Sequence, residues 1–432
     1  MRRFAVAVFV CILATGAAAD EPNFKVGFGK RDITPTAPMP MWGYGARHDL
    51  LSQGVLEPLL AKAIVIEAGD ERLAIMGLDI GRGPTEAMME QIRKEVAEKA
   101  GVGNVMISGS HTHHGPVIEL EDKDDFGKGR FDDAVAYSKR LRELLIEAIV
   151  EAKNNLQPAR MGIVKKDLTL NRNRHTKMTP KPTDPMLAVM RFDSADGKPL
   201  AILVNYAAHP VTMPEELLKF SPDYPGHLQN HVESALRSNC VFMQGAAGDM
   251  SPNRGDLDTK GYGEALGEEV VSLAQSIETK VPKSPSIKAK IDRFNFSSRL
   301  DFNNRLLVAT FHRAFFPELV NNFVREFRDG IRPEMTTVLL NGEVALVGAS
   351  GEFFCNHSKR LKERAYVDDV LFFGYCNGHH MYFPTIEAAS EGGYGGDASV
   401  SPVEIGAGDA MMNQALVNIY TMLGKFPPVP LK

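Results

Sequence analysis

Asn104-Val105-Met106-Ile107-Ser108-Gly109-Ser110-His111-Thr112-His113-His114-Gly115-Pro116 joins a short apolar run to a loop dense in histidine. The run Asn104–Ser108 reads as a buried strand, and the fold unfolds outward from it. Upstream, Thr85–Lys99 reads as a helix. Before that, Ala61–Ala68 and Arg72–Ile80 read as two strands of a hairpin around Gly69-Asp70. Downstream, Asp132–Lys153 places Val135, Leu141, Leu144, Leu145, Ala148 and Ile149 at the spacing of one helix face. Strands are expected at Leu187–Phe192, Leu200–Ala207 and Val241–Gln244. Asp223 as N-cap and Pro225 in the first turn predict a helix to about Arg237, and Gly261–Ile277 and Asp409–Leu423 read as helices too. Several short strands fall between Ile287 and Val347. Together these predict a mixed α/β (α+β) fold: one domain with a central β-sheet flanked by helices. Phe294 to Asn322 holds aromatics and arginines without clean periodicity and receives no assignment. Lys280–Lys290, rich in Pro, Lys and Ser, reads as a surface loop leading into a strand rather than a linker.

Composition limits the function classes. The 432 residues carry 49 Lys+Arg against 54 Asp+Glu, a formal net charge of -5. That argues against a broad nucleic-acid footprint, which needs a basic surface. Hydrophobic residues at 44% and charged residues at 24% are ordinary for a globular chain, so disorder is not its main character. Residues 1–19 read as a cleaved signal peptide: Arg2 and Arg3, then the apolar run Phe4–Ala14, then Ala17-Ala18-Ala19 as a cleavage site. The run is short for a membrane span, which needs about 20 residues. Cleavage would remove two Arg and no acid, taking the charge from -5 to -7. The expected mature chain is therefore residues 20–432, secreted or periplasmic, with no transmembrane segment. It keeps Cys240, Cys355 and Cys376, of which export would allow one pair to oxidise.

Chemistry gathers where strands end. Residues i and i+2 of extended chain point to the same side, so His111 and His113 are expected to converge. They suit a metal-ligand pair, or one ligand beside an acid/base group. His209 ends a second apolar strand, in Tyr206-Ala207-Ala208-His209-Pro210. Gly245-Ala246-Ala247-Gly248-Asp249-Met250-Ser251-Pro252-Asn253 follows a third, and Gly351-Glu352-Phe353-Phe354 a fourth. A buried Glu352 needs a partner, which a metal or a salt bridge would supply. Sites of α/β sheets form at such carboxyl ends. The stretch Tyr375 to Tyr394, with His379, His380 and Tyr382, could be a pocket lid or an ordinary turn. Arg172 and Arg174 could bind an oxyanion. No His-Glu-x-x-His helix, Walker loop, dinucleotide fingerprint or Gly-x-Ser-x-Gly elbow occurs.

The ordered set of fragments resembles the neutral/alkaline (non-lysosomal) ceramidase family, in its N-terminal catalytic domain. The matching stretches are Val26-Gly27-Phe28-Gly29-Lys30-Arg31-Asp32-Ile33-Thr34-Pro35, Met41-Trp42-Gly43-Tyr44, His111–Pro116, Ala208-His209-Pro210, Gly248–Asn253, Gly351-Glu352-Phe353 and Tyr382-Phe383-Pro384-Thr385. The resemblance implies a zinc amidase. It implies Zn²⁺ ligands at His111, His209, Glu352 and Tyr382, an acid/base role for His113, and a site lined by Ser251. Arg172 and Tyr394 fall at active-site positions of the family. His114 stands where the family usually has Ser, and His379 where it often has Tyr. A C-terminal β-sandwich, carried by the longer secreted ceramidases, is not expected after the last helix. The implied substrate is ceramide (N-acyl-sphingosine) or a related N-acyl lipid. A zinc hydrolase for another amide or ester, and a non-catalytic metal- or lipid-binding homologue, are the alternatives.

Overall fold

A computed structural model describes residues 23–427; the signal-peptide segment lies outside the described residues. The first half contains β1 (Phe24–Asp32), β2 (Leu60–Ala68), β3 (Glu71–Leu78), α1 (Glu86–Ala100), β4 (Asn104–Gly109), α2 (Asp132–Asn154), β5 (Gln157–Asp167) and β6 (Asn171–Asn173). It continues with β7 (Met186–Ser194), β8 (Pro199–Tyr206), α3 (Tyr224–Leu236), β9 (Asn239–Gln244), β10 (Met250–Pro252) and α4 (Thr259–Ser276). The rest is β11 (Ile287–Arg293), α5 (Arg305–Ala314), α6 (Pro317–Phe327), β12 (Glu334–Leu340), β13 (Val344–Ala349) and β14 (Glu352–Phe353). Last come α7 (Cys355–Arg364), β15 (Asp369–Phe373), β16 (Tyr382–Phe383), α8 (Ile386–Glu391) and α9 (Ala407–Met422).

The central sheet has eight strands in the order β4-β3-β2-β1-β5-β7-β8-β9. Only its outer pairs, β3/β4 and β8/β9, are parallel, and each is joined through a helix, α1 or α3. The two edges approach one another: a Cβ on Gly77 of β3 would lie 2.5 Å from Phe242 O of β9. Strand ends far apart in the sheet order therefore meet in space. Helices α1 and α2 cover one part of the outer face, and α3 and α4 the other.

A second sheet, β11-β12-β13-β15, packs against the inner face of the first. Alternation on β13 explains why: Val344 and Leu346 enter the core shared with Ile64, Leu203 and Val241, while Ala345, Val347 and Ala349 face the core under α7 and α9. Each large aliphatic side chain buried this way contributes about 1.5–3 kcal/mol. The expected central sheet flanked by helices is present, with this inner sheet added. Its β13 and β15 are again parallel and joined by a helix, α7. Lys280–Lys290 runs as a loop into β11. Phe294–Asn322 folds mostly into α5 and α6, and α5 buries none of its residues. Cys240, Cys355 and Cys376 are buried free thiols, so the pairing that export would allow is not formed. Among the described residues no helix is long and apolar enough to cross a membrane.

One buried carboxylate is destabilising. Asp79, just past β3, accepts from Leu60 N at 3.0 Å and Gln229 Nε2 at 3.2 Å. Burial lifts its pKa from 3.8 to about 6, outweighing nearby Lys62 and both donors. The folded state thus holds this proton more tightly, so stability falls as pH rises through that interval. Two units correspond to about 3 kcal/mol. Between pH 4 and pH 7, urea unfolding of Asp79→Asn should gain about that much relative to the unsubstituted chain. A difference constant with pH would show that Asp79 carries no such penalty.

Candidate metal centre

Three parallel strand pairs aim their carboxyl ends at one point. Beyond β4, Ser110 N donates to Leu78 O at 2.7 Å and His111 N to Ile80 O at 3.0 Å, so the loop stays pinned to the end of β3. His111 takes φ 71, a left-handed conformation that costs a non-glycine residue energy. The expected convergence of His111 and His113 holds, but it comes from this kink and the turn after it rather than from extended chain. His209 follows β8, and its N–H donates to Met250 O at 3.0 Å. Gln244, the last residue of β9, ties the two loops together by donating to Ser110 O at 3.0 Å and Ala208 O at 2.8 Å. Glu352 comes from β14, just past β13, and pairs in register with Tyr382 of β16.

The tautomers follow from the second nitrogen of each ring. His111 Nδ1 faces Gly81 O at 2.7 Å and His209 Nδ1 faces Ala247 O at 3.1 Å. A carbonyl only accepts, so His111 Nδ1 carries the proton and its Nε2 is bare; His209 Nδ1 lies 3.1 Å from both Ala247 O and the Arg174 Nη2 donor, and with its proton given to Ala247 O its Nε2 is bare as well. Those bare Nε2 atoms lie 2.9 Å apart. Glu352 Oε2 is 3.2 Å from His111 Nε2 and 4.0 Å from His209 Nε2. It is buried, and no geometrically sound hydrogen bond satisfies it. Two lone pairs and a carboxylate oxygen crowded together repel one another unless a cation sits among them, so the donor set fits a divalent metal. Imidazole and carboxylate are donors of the kind that hold Zn²⁺.

Electrostatics agrees. Burial drives His209 and His113 well below the ordinary imidazole range, with Arg174 and His111 adding to the shift. Both are neutral, the form that ligates or accepts a proton. Burial alone would raise Glu352; a positive charge at the His111 nitrogen, together with the hydrogen bond from His379, outweighs it and holds the carboxyl well below its usual range. Burial, then Glu352, pushes the Tyr382 phenol well above 10, so without a cation it stays protonated.

His113 Nε2 lies 3.2 Å from His209 Nε2, while its Nδ1 is buried without a partner. Its ring packs edge-on against Tyr44 and Trp42, at centroid distances of 4.6 and 5.8 Å. Gly43, at φ 104, allows this approach, since a Cβ there would sit 2.4 Å from His113 Cγ. Buried Arg47 donates to His113 O, and its Nη2 lies 2.8 Å from His114 Nε2. Trp42 is fixed in turn by Glu119, which accepts from Trp42 Nε1 and from buried Arg82, both at 3.1 Å.

The other expected residues divide. Arg172 does not enter the site: it is exposed on β6, between the buried Asn171 and Asn173. Arg174, beyond the end of β6, does enter, donating to Gly248 O at 3.0 Å and Tyr382 OH at 3.2 Å. The ribbon ends at Asn173, which releases the chain to turn inward. Ser251 is buried on β10 and pairs in register with Arg172. Tyr394 is 67% exposed and lies at the cavity rim, its ring 5.5 Å from that of Tyr382. His379, fully buried, places Nε2 3.1 Å from Glu352 Oε1.

The centre lies at one end of a cavity of about 440 Å³. His111, His113, Glu352, His379 and Tyr382 form its polar end. Phe302, Phe311, Phe315, Phe316, Phe323 and Phe327, from α5, α6 and their flanks, form its apolar wall. The sequence signal for this wall was present as the aromatic density of Phe294–Asn322, but not its purpose.

A family model described as neutral/alkaline non-lysosomal ceramidase, N-terminal, matches residues 24–265, more than half of the chain. The neutral ceramidase of Pseudomonas aeruginosa is 28% identical over 284 residues, covering 58% of this chain and 40% of that protein. The neutral ceramidase of Oryza sativa subsp. japonica is 31% identical over 156 residues, covering 34% of this chain and 19% of that protein. The chain thus spans two fifths or less of the length of these relatives. A crystal structure of neutral ceramidase from Pseudomonas aeruginosa superposes with a TM-score of 0.73 at 18% identity, covering 95% of this chain and 76% of that one, so the fold is shared.

Proposed function

The chain belongs to the neutral/alkaline non-lysosomal ceramidase family, and from that premise we propose that it is an exported, zinc-dependent amidase. It hydrolyses the N-acyl bond of ceramide or a related N-acyl lipid. The observation that carries this reading is the crowding of two bare imidazole nitrogens and an unsatisfied carboxylate at the end of a phenylalanine-walled cavity. His111, His209, Glu352 and Tyr382 would hold Zn²⁺. When bound, the ion supplies a water-derived nucleophile at neutral pH and a Lewis acid for the acyl oxygen.

The chain's own residues do the rest. The phenylalanine wall takes the acyl chain and excludes water from the scissile bond. Arg174 brings a permanent positive charge to the Tyr382 hydroxyl, where negative charge develops on the acyl oxygen. Neutral His113 accepts a proton as water adds to the acyl carbon. It returns that proton to the nitrogen as the C–N bond breaks, because an amine anion cannot leave unprotonated. The products are a fatty acid and a free amine.

Hydrolysis of a fluorescent N-acyl-sphingosine by the purified chain, before and after stripping and restoring zinc, tests the reading. Zinc-restorable release of the fatty acid is expected. Zinc binding without release from this substrate, but with release from another amide or an ester, would move the substrate class. No metal binding at all would overturn the proposal. Export with removal of residues 1–19 predicts a mature N-terminus at Asp20, readable by N-terminal sequencing of the secreted or periplasmic protein.

A further inference from the structure

We infer that His379 is a positioning residue that clamps the Glu352 carboxylate so that one oxygen is presented to the metal; this rests on the metal-site reading above. The two oxygens of Glu352 have different neighbours. Oε2 faces His111 and His209, at 3.2 and 4.0 Å. Oε1 faces the His379 Nε2, at 3.1 Å. A proton on His379 Nε2, donated to Oε1, stops the carboxylate from rotating and keeps its charge on the metal side.

The backbone is built to hold this ring in place. Tyr375 at φ 55, Asn377 at φ 57 and Met381 at φ 61 surround His379 with left-handed non-glycine conformations. Such conformations are costly and persist only where surrounding structure enforces them. The enforcement is visible on both sides. Asn377 accepts from Ile107 N and donates to Val105 O, each at 2.9 Å, which fastens the loop to β4. His380 N donates to Ser350 O at 3.1 Å, which fastens it to the end of β13. Between these anchors His379 is fully buried, with Trp42 edge-on at 5.2 Å. Among the described residues its Nδ1 has no partner, so no other side-chain hydrogen bond explains the ring's placement.

Direct ligation is the competing role, because His111, Glu352 and His379 offer donor atoms within 4.8 Å of one another. Chelator competition with zinc separates the two, alongside visible spectra of the cobalt-loaded protein. Removing an outer-shell partner costs about 10–100-fold in metal affinity. The clamp predicts that loss in His379→Ala with an unchanged cobalt band pattern. It predicts recovery in His379→Gln, whose amide N–H can donate to Oε1. Native affinity in His379→Ala would refute the clamp. An altered cobalt spectrum with no recovery in His379→Gln would make His379 a ligand instead. Near-UV circular dichroism of each variant checks the fold. If the unsubstituted chain binds no metal, the metal-site reading fails first, and the clamp falls with it.

Discussion

Glu352→Gln and His209→Ala are each expected to lose bound zinc, and with it turnover by about 10³-fold or more. The size follows from charge stabilisation worth several kcal/mol, of which about 4 kcal/mol is a factor of 10³. Glu352 is the decisive residue, because it is the only anion among the buried donors His111, His209 and His113. Glutamine has the same shape without the charge. Its amide oxygen can keep the bond from His379, and its NH₂ group then donates to the bare His111 Nε2. That arrangement relieves the lone-pair crowding without a metal, so the variant should fold normally and bind none. His209→Ala removes one of the two bare nitrogens and leaves a ring-sized void against Ala247 and Arg174. Metal content after dialysis and turnover on an N-acyl lipid are the two readouts. Zinc retained stoichiometrically in both variants would exclude this ligand set.

Much of this site could be read in the chain before its fold was known, for a physical reason. Parallel strands buried on both faces read as short apolar runs, and the residue just past each run must lie at a sheet end. His111, His209 and Glu352 are all of this kind, following β4, β8 and β13. The helices legible in advance, such as α1 and α2, pack a regular stripe on the sheet: Met89, Ile92, Val96 and Ala100 in α1. Helices α5 and α6 were missed although Leu319, Val320, Phe323, Val324 and Phe327 of α6 recur at helical spacing, because the same side chains serve both a core and a cavity wall amid further aromatics. The inner sheet was only partly legible, since β12 and β13 are buried on both faces, with Glu334, Thr336 and Thr337 breaking the apolar run of β12, and β15 is short.

Arg172 shows a different limit. Two arginines two apart in an extended run have the same side-chain direction by sequence. Only the three-residue length of β6 makes one solvent-facing and sends the other to Tyr382. Neither composition nor spacing records where so short a ribbon ends. His379 was visible as a histidine in an aromatic, glycine-rich stretch. Its contact with Glu352 depends on the left-handed residues around it, which no spacing rule forecasts for Tyr375 or Met381.

His113→Ala is expected to keep its zinc and lose about 10²–10⁴-fold in turnover, the range for a positioned acid/base group. Proximity alone would make His113 a ligand, since its Nε2 lies 3.2 Å from His209 Nε2. The second nitrogen argues otherwise. A ligating imidazole almost always donates its other N–H to an acceptor that fixes the tautomer. His111 and His209 do so, through Gly81 O and Ala247 O. His113 does not: among the described residues its Nδ1 is buried with no acceptor behind it, so its ring lacks the backing that holds the other two as ligands. A ring held rigidly by Gly43, Tyr44 and Trp42, yet with no acceptor on its Nδ1, is suited to take a proton and give it back. Burial also keeps it neutral at rest, which is the state in which it can accept. Metal content and kcat measured together decide between the roles. Loss of zinc in His113→Ala would place His113 among the ligands, and undiminished kcat with zinc in place would remove its proton-transfer role.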